Sequence, residues 1–411
     1  MKEAVTVKGN TGAGVRSDCE IRLQLFSSGG LSINLNSKVA SMYGDTIRSL
    51  CHHIFQFYGI ENATVEIEDS GALDFVIAAR MEAAIRAATG SSKEYLPEMI
   101  MENLGKSSRD RFRFSRLYLP GNTPAMMLNA GLHAPDGIIL DLEDSVAVTR
   151  KQEARLVVRN ALRQVRFYGA ERMVRINQGD MGLQDLDYVV PHNVHLILVP
   201  KCESPDYLID VEKRIEKIKS DSGLVNEVYM MPIIESARGV EMAYEIATAT
   251  RSVVAMAIGL EDYTADLGVP RTSGGDESFY ARLRIVNASK AAGIQPIDSV
   301  FSDVADMEGL RENVLRSKSL GFEGMGCIHP RQIPVIKKAF APDIAEIEKA
   351  KRIVLAFREA EVKGLGVVSL GSKMIDPPVV NRALRVIDLA GKMGLIEAGW
   401  DIESDSIHPE K

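Results

Sequence analysis

Alternation of apolar and polar residues opens the chain. Cys19, Ile21, Leu23 and Leu25 alternate with polar neighbours, the two-residue period of a strand with one buried face. Leu31, Ile33 and Leu35 repeat the pattern after the turn signal Ser27-Ser28-Gly29-Gly30, which predicts a hairpin. From Val39 to Tyr58 the period lengthens: Val39, Tyr43, Ile47, Leu50 and Ile54 recur at helical spacing. Val65 and Ile67 predict another strand, and Gly71-Ala72-Leu73-Asp74 opens a second helix through Ala88. Residues 1–90 thus read as a small α+β domain, ended by Thr89-Gly90-Ser91-Ser92-Lys93. The mixed, charged residues 91–110 read as a connector.

Beyond it the rhythm changes to short apolar runs separated by longer amphipathic stretches. The strand candidates are Leu117–Leu119, Gly137–Leu142, Met173–Ile176, His195–Pro200, Val228–Ile234, Val253–Ile258, Ser299–Ser302 and Gly324–Ile328. Strands alternating with helical material predict βα units and a parallel sheet. Eight units between 111 and 341 fit a closed (β/α)₈ TIM barrel better than an open doubly wound sheet. The first strand is followed by Pro120-Gly121-Asn122-Thr123-Pro124, not by GxGxxG, and there is no P-loop. Residues 342–411 predict a helix at Ile344–Glu361, a loop of Gly364, Gly366 and Gly371, then Met374-Ile375-Asp376-Pro377-Pro378 and a helix from Val380. They read as a C-terminal extension of the barrel.

In such a barrel the chemistry sits at the C-terminal ends of the strands. Those ends carry Asp141-Leu142-Glu143-Asp144, Arg175-Ile176-Asn177, Lys201 with Glu203, Glu235-Ser236, Glu261-Asp262 and His329-Pro330-Arg331. Any single charge there is expected where a strand meets water; the concentration of acids and bases directly after apolar strands points to a site. Carboxylates suit a hard cation such as Mg²⁺, which keeps several waters and needs one or two protein ligands. Arg175 and Lys201 supply positive charge for an anionic substrate.

Bulk composition narrows the field. The 411 residues exceed one ordinary core, so two domains are expected. A net charge of −7 leaves no basic footprint for nucleic acid. No run of about 18 apolar residues predicts a membrane span, and the first residues mix Lys, Glu, Arg and Asp with Gly, so a cytoplasmic location is expected. Cys19, Cys51, Cys202 and Cys327 form no CxxC and read as reduced. The histidines do not cluster, which disfavours zinc or iron.

Several stretches together resemble the citrate lyase β-subunit (HpcH/HpaI aldolase) family, which includes malyl- and citramalyl-CoA lyases. They are Leu119-Pro120-Gly121-Asn122, Leu140-Asp141-Leu142-Glu143-Asp144-Ser145-Val146, Val174-Arg175-Ile176-Asn177, Val199-Pro200-Lys201-Cys202-Glu203, Ile234-Glu235-Ser236, Gly259-Leu260-Glu261-Asp262-Tyr263, His329-Pro330-Arg331-Gln332-Ile333 and Met374-Ile375-Asp376. The resemblance covers about 112–395. It implies a (β/α)₈ barrel with Mg²⁺ on Glu235 and Asp262, Arg175 on the keto-acid end of a small acyl thioester, Arg175 and Lys201 as catalytic residues, and Glu143 and Asp144 as further substrate-binding residues. It also implies that Asp376 acts as acid or base from a neighbouring subunit, so the protein would be a homo-oligomer.

Residues 1–90 are similar to the acyl carrier (γ) subunit of citrate lyase, through Gly71-Ala72-Leu73-Asp74, Ala79-Arg80 and Tyr43-Gly44-Asp45-Thr46-Ile47-Arg48. That resemblance implies a covalent phosphoribosyl-dephospho-CoA arm on a serine near the N-terminus, and Ser17 is the candidate. The family reads Glu-Ser-Ser-Asp or Glu-Ser-Gly-Asp; an ungapped match puts Arg16 at the serine, and a one-residue deletion restores Ser17. Arg113-Phe114-Ser115 departs from the usual Arg-Arg-Ser before the first strand. The resemblances imply a lyase cleaving a citryl-type 3-hydroxyacyl thioester to an acetyl thioester and a keto acid such as oxaloacetate, an acyl-transferase subunit being a further candidate partner. Two alternatives stay open: a lyase for free citramalyl- or malyl-CoA with a retired carrier domain, and a non-catalytic assembly subunit.

Overall fold

The computed structural model describes residues 5–362, 364, 367–370, 373–397 and 399–400. Gly366 and Gly371 of the expected loop lie outside the described residues. Two compact units form, Met1–Ile336 and Lys337–Lys411.

The first unit begins with a four-stranded sheet in the order β1-β2-β4-β3: β1 (Thr6–Gly9), β2 (Cys19–Leu25), β3 (Leu31–Ser37) and β4 (Ala63–Asp69). The predicted hairpin does not form. β4 lies between β2 and β3, antiparallel to the first and parallel to the second. Helix α1 (Ala40–Tyr58) is the crossover that makes this possible, returning the chain so that β4 runs beside β3. Burial explains the order. β4 buries Ala63, Val65, Ile67 and Asp69 and takes a central place, whereas β3 has no fully buried residue and takes the edge. Helix α2 (Asp74–Thr89) is buried continuously from Phe75 to Ile85, because it lies between this sheet and the barrel helix Lys151–Gln164.

The barrel follows as β5 (Ser115–Pro120), β6 (Gly137–Asp141), β7 (Glu171–Arg175), β8 (Leu196–Val199), β9 (Tyr229–Ile234), β10 (Ala255–Ile258), β11 (Gln295–Ile297) and β12 (Met325–Cys327). These form one eight-stranded parallel sheet in the order β11-β10-β9-β8-β7-β6-β5-β12. A parallel bridge between Asp298 and Met325 joins its two edges and closes the barrel. The seventh strand is Gln295–Ile297, not Ser299–Ser302. Pro296 within it counts against a strand in the sequence, yet Pro296 pairs with Met256 in the ladder. Ser299 lies past the strand end, where its hydroxyl accepts the Leu260 N–H. Ile139, Met173, Leu198, Met231, Ile233 and Ile297 fill the barrel interior.

The small domain and the barrel are joined by buried charge. Arg80, fully buried on α2, donates from Nε and Nη2 to the Asp18 carboxylate at 3.0 and 2.9 Å. Its Nη1 reaches Glu153 on the barrel helix at 3.2 Å and the Asn122 side chain at 2.8 Å. Glu153 also accepts the Gly9 N–H. Arg159 and Glu82 form a second buried pair across the same surface at 2.7 Å.

In the second unit, the helices Ile344–Val362 and Pro377–Lys392 pack with the antiparallel strands Val368–Leu370 and Lys373–Ile375 around Ile353, Val354, Ile375, Val380 and Ile387. The last helix starts at Pro377, three residues before the expected Val380. Asp376 is its N-cap, accepting the Val379 N–H at 3.2 Å, and proline at the first helical position needs no donor. Among the described residues, no helix is long and apolar enough to cross a membrane.

Removing one member of a buried ion network leaves its partners charged and dry, so Arg80→Met should destabilise the first unit by about 3–5 kcal/mol. Urea denaturation measures this. A loss under about 1 kcal/mol would show that water replaces the guanidinium.

Candidate active site

Each strand delivers its C-terminal residue to one rim of the barrel. Asp141 and Arg175 are register partners at the ends of β6 and β7. Arg175 grips Asp141 with two hydrogen bonds, Nε to Oδ1 at 2.7 Å and Nη2 to Oδ2 at 2.8 Å. Its Nη1 lies 3.0 Å from Glu143 Oε2, and the guanidinium stands over the Tyr118 ring at 5.4 Å. Burial works against the charge of Arg175, but the hydrogen bond and charge of Asp141 raise its pKa above the usual value. Burial likewise opposes ionisation of Asp141, and Arg175 overrides it, holding that carboxyl below the usual range. The pair therefore stays ionised.

Lys201 follows β8 with a left-handed backbone, φ 47°. For a lysine this conformation costs on the order of 1 kcal/mol, and it turns the Lys201 N–H onto Glu235 Oε2 at 2.9 Å. The ammonium lies 3.1 Å from Glu143, 3.3 Å from Asp144 and 3.9 Å from Asp262. Burial disfavours its charge, yet the hydrogen bond to Glu143 and the three carboxylates push its pKa up to about 12. Lys201 is thus a fixed cation and not a proton acceptor near neutral pH.

Glu235 is the contrasting group. Its carboxyl is buried, and burial pushes its pKa up to about 7, with the charges of Asp262 and Glu143 adding to the rise. The Lys201 N–H and Arg175 oppose it without cancelling it. Room for the side chain comes from Gly259, where a Cβ would stand 2.5 Å from Glu235 Oε1. Glu235, Asp262, Arg175, Asp141 and Tyr118 line one cavity of about 650 Å³. Among the described residues, no group of three or more His, Cys, Asp or Glu side chains could hold a metal. The donor set is instead that of a cation needing two carboxylates and water: Glu235 is a buried acid beside Asp262, whose side chain is partly exposed.

The structure therefore brings Glu143, Asp144, Arg175, Lys201, Glu235 and Asp262 to one rim. Ser17 belongs to the small domain, in a turn at φ 53°, and Asp376 belongs to the second unit. Sequence reasoning missed the roles of Tyr118 and Gly259 and the pairing of Asp141 with Arg175. The strand-end rule pointed at Asp141, but no spacing reveals a register pair. Lys151 was also missed; its ammonium donates to the carbonyls of Leu142 and Glu143 at 2.7 and 2.5 Å and holds the acidic loop.

A closed parallel barrel with its charged side chains gathered at the carboxyl rim defines a (β/α)₈ protein of the kind whose active site lies at that rim. The model of the HpcH/HpaI aldolase/citrate lyase family matches residues 115–330, and that of the malonate decarboxylase delta subunit (MdcD) matches 8–88. The citrate lyase subunit beta of Haemophilus influenzae is 40% identical over 290 residues, 70% of this chain and 99% of that protein. The mitochondrial citramalyl-CoA lyase of Mus musculus is 29% identical, over 67% of this chain and 85% of that protein. The structure of CitE from Mycobacterium tuberculosis with magnesium, acetoacetate and coenzyme A matches with a TM-score of 0.58 at 30% identity, covering 69% of this chain and all of that one. The chain belongs to the HpcH/HpaI aldolase/citrate lyase family and is a carbon–carbon lyase, with an acyl-carrier-like domain in front.

The raised pKa of Glu235 sets the sign of a stability effect. The folded protein holds this proton more tightly than the unfolded chain does, so the stabilisation is complete below about pH 4.5 and is lost as pH rises through about 7. In the absence of divalent cations, Glu235→Gln should remove that loss, and the stability of wild type relative to the variant should fall between pH 5 and 8. Urea denaturation across that range would refute the assignment if the difference stayed constant.

Proposed function

We propose that this protein is a Mg²⁺-dependent lyase that cleaves a citryl-type 3-hydroxyacyl thioester to an acetyl thioester and a keto acid such as oxaloacetate. The observation that carries this reading is Glu235, a desolvated carboxyl beside Asp262 in a cavity that also holds the Arg175 guanidinium. Glu235 and Asp262 would hold the Mg²⁺. When bound, the ion would polarise the oxygens of the keto-acid half and stabilise negative charge there. Arg175, held rigid by Asp141 and Tyr118, neutralises the carboxylate of that half. Lys201 keeps the acidic loop and Asp262 in place and adds positive charge at the rim.

In the cleavage, the substrate hydroxyl loses its proton and its oxygen becomes the keto group. The bond to the thioester methylene breaks, and its electron pair passes into a thioester enolate, which a proton then quenches to the acetyl thioester. Asp376 of a neighbouring subunit is the proposed acid or base. It carries a cap hydrogen bond on one oxygen. A homo-oligomer follows, since this assignment divides each site between chains.

The small domain is proposed as the carrier of the thioester, through a phosphoribosyl-dephospho-CoA arm on Ser17. Support comes from the link that runs from Asp18, the next residue, through Arg80 to Asn122 just past the end of β5. The candidate serine therefore stands on the side of the barrel where the strands end. A covalently tethered thioester would act at high effective concentration. A second reading, a lyase for free citramalyl- or malyl-CoA, is favoured by exposed Arg16 at the ungapped serine position. Both readings fit a cytoplasmic enzyme; only the tethered one needs an acyl-transferase partner.

Mass spectrometry of protein from its native host should find the added arm on the peptide containing Ser17, and an unmodified peptide would favour the free-CoA reading. Glu235→Gln should abolish Mg²⁺-dependent cleavage. Mixing Glu235→Gln and Asp376→Asn subunits should restore part of the lost activity, because some sites then combine an intact metal pair with an intact Asp376. No recovery after subunit exchange would sink the shared site.

A further inference from the structure

We propose that Arg116 forms a second carboxylate subsite at the floor of the barrel cavity, taken by an extra carboxylate on the keto-acid half of the substrate. This rests on the lyase reading above and deepens it, because it names the substrate class.

Arg116 and Tyr118 alternate on β5 and so share a face. That face is the barrel interior: Tyr118 packs on the interior core, and Arg116 Nη1 lies 2.9 Å from Met231 Sδ on β9, four strands away across the barrel. Gly137 on the neighbouring strand leaves room for Met173, whose Cε a Cβ there would meet at 2.5 Å, and the Arg116 stem passes the same spot at 3.6 Å. Both Arg116 and Arg175 line the same cavity.

Among the described residues, four arginines are fully buried: Arg80, Arg113, Arg116 and Arg159. Three have a carboxylate, with Arg80 on Asp18, Arg113 on Glu171 and Arg159 on Glu82. Arg116 does not. Among the described residues its side chain contacts a thioether, a weak acceptor, and its Nε has no partner at all. Burial acts against its charge, yet a guanidinium does not lose its proton near neutral pH. A buried, unpaired, permanent cation facing a cavity is the complement of an anion that enters it.

The upper guanidinium, Arg175, stands over the Tyr118 ring, and Arg116 leaves the strand two residues below Tyr118, roughly 7 Å deeper along β5. Two cations at two depths suit a keto acid with a carboxylate at each end. Citryl thioesters release such a dicarboxylate, whereas citramalyl and malyl thioesters offer a methyl group or a hydrogen at that position. A substrate without the second carboxylate leaves Arg116 unpaired, so discrimination of about a hundredfold or more is expected. Arg116 is thus a specificity-determining residue of the site.

The test uses full-length holoenzyme and its Arg116→Met variant, whose side chain suits the Met173 and Met231 surroundings. The ratio of kcat/KM for citryl over citramalyl thioester should fall about a hundredfold, mainly through KM for citryl, and Arg116→Lys should recover part of it. Calorimetry should show the same selective loss for oxaloacetate relative to pyruvate. The melting temperature of Arg116→Met should not fall, because an unpaired buried charge is removed. An equal loss on both substrates, or no change in the ratio, overturns the subsite. If wild type cleaves none of these thioesters, the lyase reading fails, and the oxaloacetate-to-pyruvate binding ratio then decides the subsite alone.

Discussion

Closure of a parallel sheet is the constraint on which the site depends. Once the Asp298–Met325 bridge joins the two edges, all eight strands must end on one rim. Residues far apart in the chain, from Asp141 to Asp262, then share one cavity of about 650 Å³. Asp141, Arg175 and Glu235 are largely withdrawn from water, so their charges are set by their neighbours, whereas Lys201 and Asp262 stay partly exposed at the rim. Asp141 and Arg175 stabilise one another's charge, Lys201 is held protonated by three acids, and Glu235 is left as the carboxyl with a high pKa. Lys201 reaches both acids, its N–H on Glu235 and its ammonium 3.9 Å from Asp262.

The same logic of buried charge fastens the small domain to the barrel. Arg80 and Arg159 are desolvated and matched by Asp18, Glu153 and Glu82. Such pairs add little net stability over apolar contacts, but they are demanding in geometry. They fix Asp18, and with it the turn at Ser17, relative to the end of β5. The acyl-carrier-like domain is therefore held in one place on the barrel.

Much of this was legible in the residues. The helix from Ala40 and seven of the eight barrel strands follow the apolar period closely, because a core-facing element must repeat its apolar residues at its own pitch. The strand-end rule located Glu143, Arg175, Lys201, Glu235 and Asp262 without any relative to compare. The failures have physical causes. The hairpin was misread because strand period says nothing about partners, and β4 arrives through α1 to separate β2 from β3. The seventh strand lies at Gln295–Ile297 rather than Ser299–Ser302, and its ladder accommodates Pro296.

The sequence by itself determined the elements, their order, and which residue types end each strand, since these depend on local periodicity and turn chemistry. Tertiary structure alone decided what those residues are. Asp141 became the clamp on Arg175 through register, and Glu235 became a near-neutral acid through burial. Arg116, indistinguishable in sequence from a paired arginine, became a fully buried cation that meets a thioether and, among the described residues, no carboxylate. Pairing, desolvation and register are relations between strands, and they exist only when the barrel closes.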